Sequence, residues 1–365
     1  MTDLLYSGTE DDLRSAVRSL LTDRCGAPEL LAAVEAGTPG DLRLWPALAS
    51  DMGLAGLLVP EKLGGQGATH REAAVVLEEL GRSVAPAPYL TSSVVATEVL
   101  GGLGARNEAA AELLATLASG ECVAVLAVPL TTEPGSVPLL PGLSGTVSGV
   151  ADAAAAQVLL VPTDDGLYAV GARDPGVTVE PLVPLDLTRP LAAVTLDGAQ
   201  GTLLAGARDA RAALDRGLLA GAGLLASEQL GLAEWCLEET VRYTRERHQF
   251  NRPVGGFQAL KHRMAQLWLE IVSARAAARN AADALATDSS EKALAVSVAQ
   301  AYCSRVAVHA AEECIQLHGG IGMTWEHPAH LHLKRAKSDA VAFGSAGAHR
   351  EALALLVDLP GPDSA

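Results

Sequence analysis

An arginine that leaves a helix into a glycine- and proline-containing loop suits a pyrophosphate, because its planar fork donates to two oxygens at once. The segment Tyr243-Thr-Arg-Glu-Arg247-His-Gln249-Phe250-Asn-Arg-Pro253-Val-Gly-Gly-Phe257-Gln258 has this form, with an amide and an aromatic ring beside Arg247. A plainer reading competes: Arg242, Arg245 and Arg247 are also the cations that a helix C-terminus attracts, and on chemistry alone that reading is slightly ahead. In Cys314-Ile-Gln316-Leu-His318-Gly319-Gly320-Ile-Gly322, closely spaced glycines let a ligand approach backbone, and Gln316 offers an amide to a nucleotide. A Gly-Gly helix stop is the simpler explanation of that stretch. His327-Pro-Ala-His330-Leu-His332 invites a metal, but only His327 and His330 share a helix face, and no carboxylate or cysteine completes the set. No metal is expected. The chain has no G-x-G-x-x-G behind a strand, no P-loop and no G-x-S-x-G elbow.

The elements that must position these residues fall into three stretches: helices over 1–120, a small β domain over 121–205 and helices again over 206–365. In the first, Thr9 with Glu10, Asp11 and Asp12 predicts an N-cap and acidic first turn before Leu13, Val17, Leu20 and Leu21. Further helices are expected over 28–36, 42–52, 70–80 with Gly81 as C-cap, 92–100 and 105–119. Between 121 and 205, six short β-prone runs (122–128, 145–150, 157–161, 166–170, 177–179 and 192–196) are punctuated by Pro and Gly. Asp164-Asp165-Gly166 marks a tight turn. Long helical stretches follow over 207–244, 257–286 and, behind a capping box of Asp288 and Glu291, to Leu317, with two shorter ones over 329–342 and 345–357. They are apolar around much of their circumference, which predicts burial in a bundle or against another subunit.

The chain has 365 residues, 49% hydrophobic and 19% charged, enough for two or three packed units and inconsistent with disorder. A net charge of -16 argues against nucleic acid and anionic membrane surfaces as partners. The five cysteines (Cys25, Cys122, Cys236, Cys303, Cys314) are odd in number and never spaced C-x-x-C, which predicts reduced, buried thiols in a cytoplasmic protein. No signal peptide and no membrane-spanning run are expected.

Taken in order, these segments resemble the acyl-CoA dehydrogenase family over nearly the whole chain. Trp45…Gly53-Leu-Ala-Gly56-Leu-Leu-Val-Pro60-Glu61…Gly64-Gly65-Gln-Gly67, then Leu77-Glu-Glu79-Leu-Gly81-Arg82, is similar to that family's substrate-side helical domain. Arg247-His-Gln249-Phe250…Pro253…Phe257-Gln258 resembles its R-x-x-F…Q segment, and Gln316-Leu-His-Gly319-Gly320-Ile-Gly322 its Q-x-x-G-G-x-G segment. The resemblance implies a mainly α fold with a small β domain: an N-terminal helical domain, a middle β-barrel or sandwich, and a C-terminal four-helix bundle. It also implies FAD at a subunit interface. Arg247, Gln249 and Phe250 would contact its pyrophosphate and adenine half, held by a neighbouring chain, and Gln258, Gln316, Gly319 and Gly320 would line the same half-site. The implied substrate is an acyl-CoA thioester, and the implied reaction is α,β-dehydrogenation, in which a carboxylate takes the α-proton and the flavin takes the β-hydrogen as hydride.

Two departures bear on that reaction. Thr132-Glu-Pro-Gly-Ser136 is a truncated form of the family's ring-binding segment, and the later strand, Gly145-Thr-Val-Ser-Gly-Val-Ala-Asp152, has no aromatic residue to flank the isoalloxazine. The family's usual base position reads Phe343-Gly344-Ser345, and the alternative position used by some relatives aligns with Gly221. Neither residue accepts a proton. Glu228, two turns further on, is the one nearby carboxylate and is expected to be structural sooner than a base; Glu326 belongs to the adenine side. A chain that keeps the half-site given to a neighbour but has lost its own ring site and base fits the supporting subunit of a heteromeric acyl-CoA dehydrogenase. It would then resemble the paired subunits of actinobacterial steroid and acyl-chain breakdown, with a homologous chain as partner. The rivals are a self-sufficient homo-oligomer with a displaced base, and a flavin-free binding subunit or redox-neutral biosynthetic enzyme.

Overall fold

In the computed structural model, residues 4–38, 44–104 and 107–359 are described. The first helix, α1 (Gly8–Arg24), is capped two residues earlier than the expected Thr9. Ser7 is the N-cap: its hydroxyl accepts from the Glu10 N–H at 3.3 Å, and the Glu10 carboxylate accepts from the Ser7 N–H at 2.6 Å. The Ser-x-x-Glu box satisfies two end donors where Thr9 has no glutamate at the right spacing. Then come α2 (Ala27–Glu35), the short α3 (Leu44–Pro46) running into a π-helical turn at Ala47–Asp51, and α4 (His70–Arg82). A second π-helical segment, Tyr89–Ala96, continues into α5 (Thr97–Gly102), and α6 (Glu108–Ala118), capped by Asn107, ends this part. The expected helix starts at Leu42 and Ala105 lie outside the described residues.

Gly81 does not cap α4. It lies inside the helix and is buried, because α4 crosses α7 (Ala207–Glu246) with the two backbones in contact. A Cβ at Gly81 would lie 2.0 Å from the Glu228 carbonyl oxygen, and one at Gly231 would lie 1.8 Å from that of Glu78. Each glycine makes room for the other helix, so the pair sets the depth of the crossing.

The middle part has seven strands where six were expected: β1 (Ala124–Leu126), β2 (Gly145–Ala151), β3 (Val158–Pro162), β4 (Gly166–Gly171), β5 (Val177–Pro181), β6 (Leu191–Leu196) and β7 (Thr202–Gly206). They form two sheets, ordered β1-β3-β4-β7 and β2-β6-β5, antiparallel except for the β1–β3 pair. Alternation explains the sandwich. Val123, Val125, Leu159 and Val161 join Val150, Ala192 and Val194 in the core between the sheets, whereas Ala124, Leu126 and Leu160 face the helices. The missed strand, β7, is half exposed and carries no clear alternation (Thr-Leu-Leu-Ala-Gly).

After β7 the chain is helical again, apart from a two-stranded hairpin, β8 (His248–Gln249) and β9 (Arg252–Pro253). Next are α8 (Gln258–Ala286), α9 (Lys292–His318), α10 (Ala329–Asp339) and α11 (Ala346–Leu356). The short α10 and α11 both pack on α9. The expected capping box at Asp288 and Glu291 is not formed. Asp288 has φ 49° and accepts from Lys292 instead, and Glu291 makes no side-chain cap. All five cysteines are free and buried. No helix among the described residues is long and apolar enough to cross a membrane.

Gly231→Ala is expected to lower stability by about 2 kcal/mol or more, since the added methyl meets backbone that cannot rotate away. Thermal denaturation of the variant beside the parent protein checks this.

Candidate functional site

The end of α7 and the end of α9 come together at one end of the bundle. Tyr243 in the last turn of α7 stacks on His318 in the last turn of α9, with ring centroids 4.4 Å apart. Arg247 is the C-cap of α7, its N–H donating to the Tyr243 carbonyl at 2.8 Å. Gly319 caps α9 with φ 63°, which is why glycine stands there. Thus Arg247, Gln316, Gly319 and Gly320 share one end of the fold. Gln258 opens α8 there too, since the Val254 N–H donates to the Arg247 carbonyl and the Phe257 N–H to that of Val254.

These groups are uncommitted. Arg247, Gln249, Gln258 and Gln316 are exposed, and among the described residues their side chains make no hydrogen bond or ion pair. Of the other arginines near them in sequence, Arg242 pairs with Glu239 and Glu246 and Arg252 lies over the Phe257 ring at 3.9 Å, whereas Arg245 is exposed like Arg247. The N-terminus of α8 has no side-chain cap, leaving first-turn N–H groups free for an anion. Sequence reasoning missed this feature; the signal was the lack of Ser, Thr, Asp or Asn before Gln258.

Phe250 is the most telling residue of the group. With Asn251 it forms the two-residue turn between β8 and β9, at φ 52° and 61°. That turn normally takes glycine or asparagine, and a non-glycine residue in the left-handed region costs about 1–2 kcal/mol. Phe250 is nonetheless 86% exposed, its ring meeting only the edge of Phe257 at 6.0 Å. A strained turn that holds a bare phenyl ring in solvent fits a ring meant for contact with another molecule.

The catalytic region implied by the resemblance is closed. Phe343 and Gly221, separated in sequence, are neighbours: a Cβ on Gly221 would lie 3.1 Å from Phe343 Cζ and 2.7 Å from Val95. Phe343 keeps a left-handed backbone, φ 52°, fixed by its N–H to the Leu130 carbonyl at 2.9 Å and by His349 Nε2–H to its own carbonyl at 3.0 Å. Its ring is buried. Thr91, Val95, Leu126, Val128, Leu130 and Ala151 close around it, leaving a cavity of about 20 Å³, room for one water. Cofactor and substrate sites usually measure about 300–1,000 Å³. A tricyclic ring does not fit between these residues, whereas the exposed groups around Arg247 are donors of the kind a phosphate takes.

Glu228 is fully buried and faces two guanidinium groups, not this cavity. It accepts from Arg189 and from Arg335, both at 2.5 Å. Arg335 also donates to Asp186 at 2.5 Å and to the Thr188 hydroxyl at 2.7 Å, and Arg189 lies 3.5 Å from Asp339. Burial alone would raise the Glu228 carboxyl, but the two arginines outweigh it and hold it below the usual range. Asp339, with no hydrogen-bond partner for either oxygen, is pushed well up by burial and by Glu228. The cluster therefore balances two cations against two carboxylates, Glu228 and Asp186. Glu326 is exposed, next to His327 in the chain.

The three histidines of the 327–332 segment diverge. His332 stacks flat on Trp235 at 3.6 Å, and His330 bonds to the Trp325 carbonyl. His327 instead joins His318 and Glu239, which together place three potential ligand atoms within 4.8 Å of one another. Two of the three residues are already engaged: Glu239 accepts from Arg242 through both oxygens, and His327 Nδ1 accepts from the Ala329 N–H at 3.2 Å.

If Glu228 is a structural anion, Arg335→Met leaves two buried carboxylates short of a cation and costs about 3–5 kcal/mol. Glu228→Gln should likewise lower the melting temperature. A true base could be replaced by its amide with stability unchanged, so thermal denaturation of both variants separates the roles.

Comparison with known proteins gives the family. Residues 7–121 match the family description "Acyl-CoA dehydrogenase, N-terminal domain", and residues 210–355 match "Acyl-CoA dehydrogenase, C-terminal domain". The chain is 34% identical over 333 residues to acyl-CoA dehydrogenase IpdE2 of Mycolicibacterium smegmatis, covering 91% of this chain and 93% of that protein. Among solved structures, the ChsE4-ChsE5 complex from Mycobacterium tuberculosis superposes with TM-score 0.86 at 27% identity, covering 99% of this chain and 100% of that one. The Tcur3481-Tcur3483 steroid ACAD superposes with TM-score 0.83 at 29% identity over 96% of this chain and 98% of that one. Sequence identity across nine-tenths of both lengths, together with the shared three-part architecture, makes this chain a member of the acyl-CoA dehydrogenase family of FAD-dependent oxidoreductases.

Proposed function

We propose that this chain is the supporting subunit of a heteromeric acyl-CoA dehydrogenase. It grips the adenine and pyrophosphate end of an FAD whose ring rests in a homologous partner, and the partner supplies the base. The observation that carries this reading is a contrast within one molecule. The groups suited to a nucleotide are outward-facing and unpaired, while both base positions are apolar and packed shut.

Arg247 donates its fork to the pyrophosphate, the free N–H groups of α8 add partial positive charge beside it, and Gln249, Gln258 and Gln316 offer amides to ribose and adenine. Phe250 provides a flat apolar face, and Gly319 and Gly320 let the nucleotide approach backbone. When bound, FAD supplies the hydride acceptor for the β-hydrogen of an acyl-CoA thioester. Two further observations support a partner chain. The outer face of α8 exposes Trp268, Leu269 and Val272, an apolar stripe of the kind that subunit contacts cover. Two of the similar solved structures are named as pairs of different chains, and the second of these names a steroid enzyme, which makes a steroid-derived acyl-CoA the leading substrate class.

Co-expression with a homologue that retains the catalytic glutamate is expected to give an assembly with half as many flavins as chains, and this chain purified alone should be colourless. One flavin per chain in the protein expressed alone would replace this reading with a self-sufficient homo-oligomer. In the assembly, Arg247→Ala is expected to weaken FAD binding about ten- to a hundredfold, the worth of a charge-assisted contact, with native mass unchanged.

A further inference from the structure

Directly beneath the residues assigned to the nucleotide, one histidine joins the two helices that carry them. The His318 side chain is completely buried, in the last turn of α9, next to Gly319 and two residues after Gln316. Its Nδ1 lies 2.6 Å from the Cys314 carbonyl oxygen, so Nδ1 carries a hydrogen and donates it. Its Nε2 has no hydrogen-bond partner and points toward Glu239 of α7, whose Oε1 is 3.9 Å away. Glu239 lies two turns before Arg247.

These contacts constrain the protonation state. With Nδ1 committed as a donor, a neutral ring would turn its Nε2 lone pair toward a carboxylate, which is repulsive. Only the imidazolium directs an N–H at both acceptors. The ring is held in place from the sides by Tyr243, stacked at 4.4 Å, and by His327, tilted at 4.3 Å.

We infer that His318, carried as a cation and paired with Glu239, is a positioning residue for cofactor binding. It clasps the end of α9 to the end of α7 and so sets the spacing between Arg247 and the Gln316–Gly320 segment. The inference rests on the half-site reading above, and it adds that the grip on the nucleotide depends on this buried charge and hence on pH.

The groups facing His318 fix the sign of that dependence. From α7 come Glu239, itself bound to Arg242, and Tyr243; from its own helix, Cys314, with Sγ 3.7 Å from Nδ1 and Cys236 behind it; and from the turn before α10, His327. Burial works against the charge, but Cys314 and Glu239 outweigh it and push the imidazole up to about 9. Glu239 is held well below the usual carboxylate range by His318 first, then His327 and Arg242. Cys314 is drawn down by the Cys236 thiol first, so it titrates on the acidic side, away from His318. A histidine whose folded value is raised stabilises fully below its unfolded value of about 6.5 and loses that contribution as pH rises through the folded value. The clasp should therefore hold at neutral pH and open above about 9.

The test uses the purified assembly containing this chain, with two readouts between pH 6 and 10: the FAD dissociation constant by fluorescence titration, and the His318 ring shifts by NMR of histidine-labelled protein. In the parent protein the ring should titrate near pH 9, with FAD affinity falling about tenfold across the same range. Glu239→Gln should move both midpoints down by about one pH unit or more. His318→Gln should bind FAD about tenfold more weakly at pH 7 and show no pH step. An unmoved midpoint in Glu239→Gln, or parental affinity and pH dependence in His318→Gln, would overturn the inference. Arg247→Ala is run alongside. If that variant alone retained full flavin affinity, the half-site reading would fall, while the NMR midpoints would still decide whether the Glu239–His318 pair exists.

Discussion

Two guanidinium groups buried around one carboxylate hold the β part and the C-terminal helices of this chain in a fixed relation. Glu228 comes from α7, Arg335 and Asp339 from α10, and Asp186, Thr188 and Arg189 from the connection between β5 and β6. Charges taken out of water must be matched and hydrogen-bonded, so these segments can meet in few ways other than the one observed. The arrangement locates the β sandwich against the bundle and draws α10 onto α7. It also removes Glu228 from any chemistry, because a carboxylate accepting from two arginines has little basicity left for a substrate proton.

With that junction in place, the two ends of α7 have different fates. Near Gly221 the helix faces Phe343, whose strained backbone survives although its side chain is a hydrocarbon, and the surrounding valines and leucines leave no space. Near Arg247 the same helix runs out of the core into a tight hairpin with a solvent-facing phenyl ring. One region is filled in and the other is open to solvent. A subunit that contributes to a neighbour's cofactor needs the second and has no use for the first, which is why the heteromeric reading accounts for both.

The buried Glu239–His318 pair bears on the proposed half-site. Arg247 and Gln316 belong to separate helices, whose ends also meet through the Tyr243–His318 stack. An ion pair in a shielded place is directional where packing is not, so it can hold the two helix ends at one spacing.

Much of this was legible in the residues alone. Short β-prone runs with Gly and Pro punctuation marked six of the seven strands, and Arg247, Gln249, Phe250, Gln258, Gln316 and the Gly319-Gly320 pair were all visible as candidates, because side-chain type and local spacing are written in the chain. The replacement of a carboxylate by Phe343 was equally plain. Tertiary structure decided the rest. Gly81 reads as a helix stop until α7 is laid across it, Glu228 reads as a stray carboxylate until Arg189 and Arg335 arrive from elsewhere in the chain, and Glu239 with His318 is invisible because it joins two helices. Local patterns report on bonds between near neighbours, whereas burial, charge pairing and the volume of a cavity depend on which distant segments the fold brings into contact.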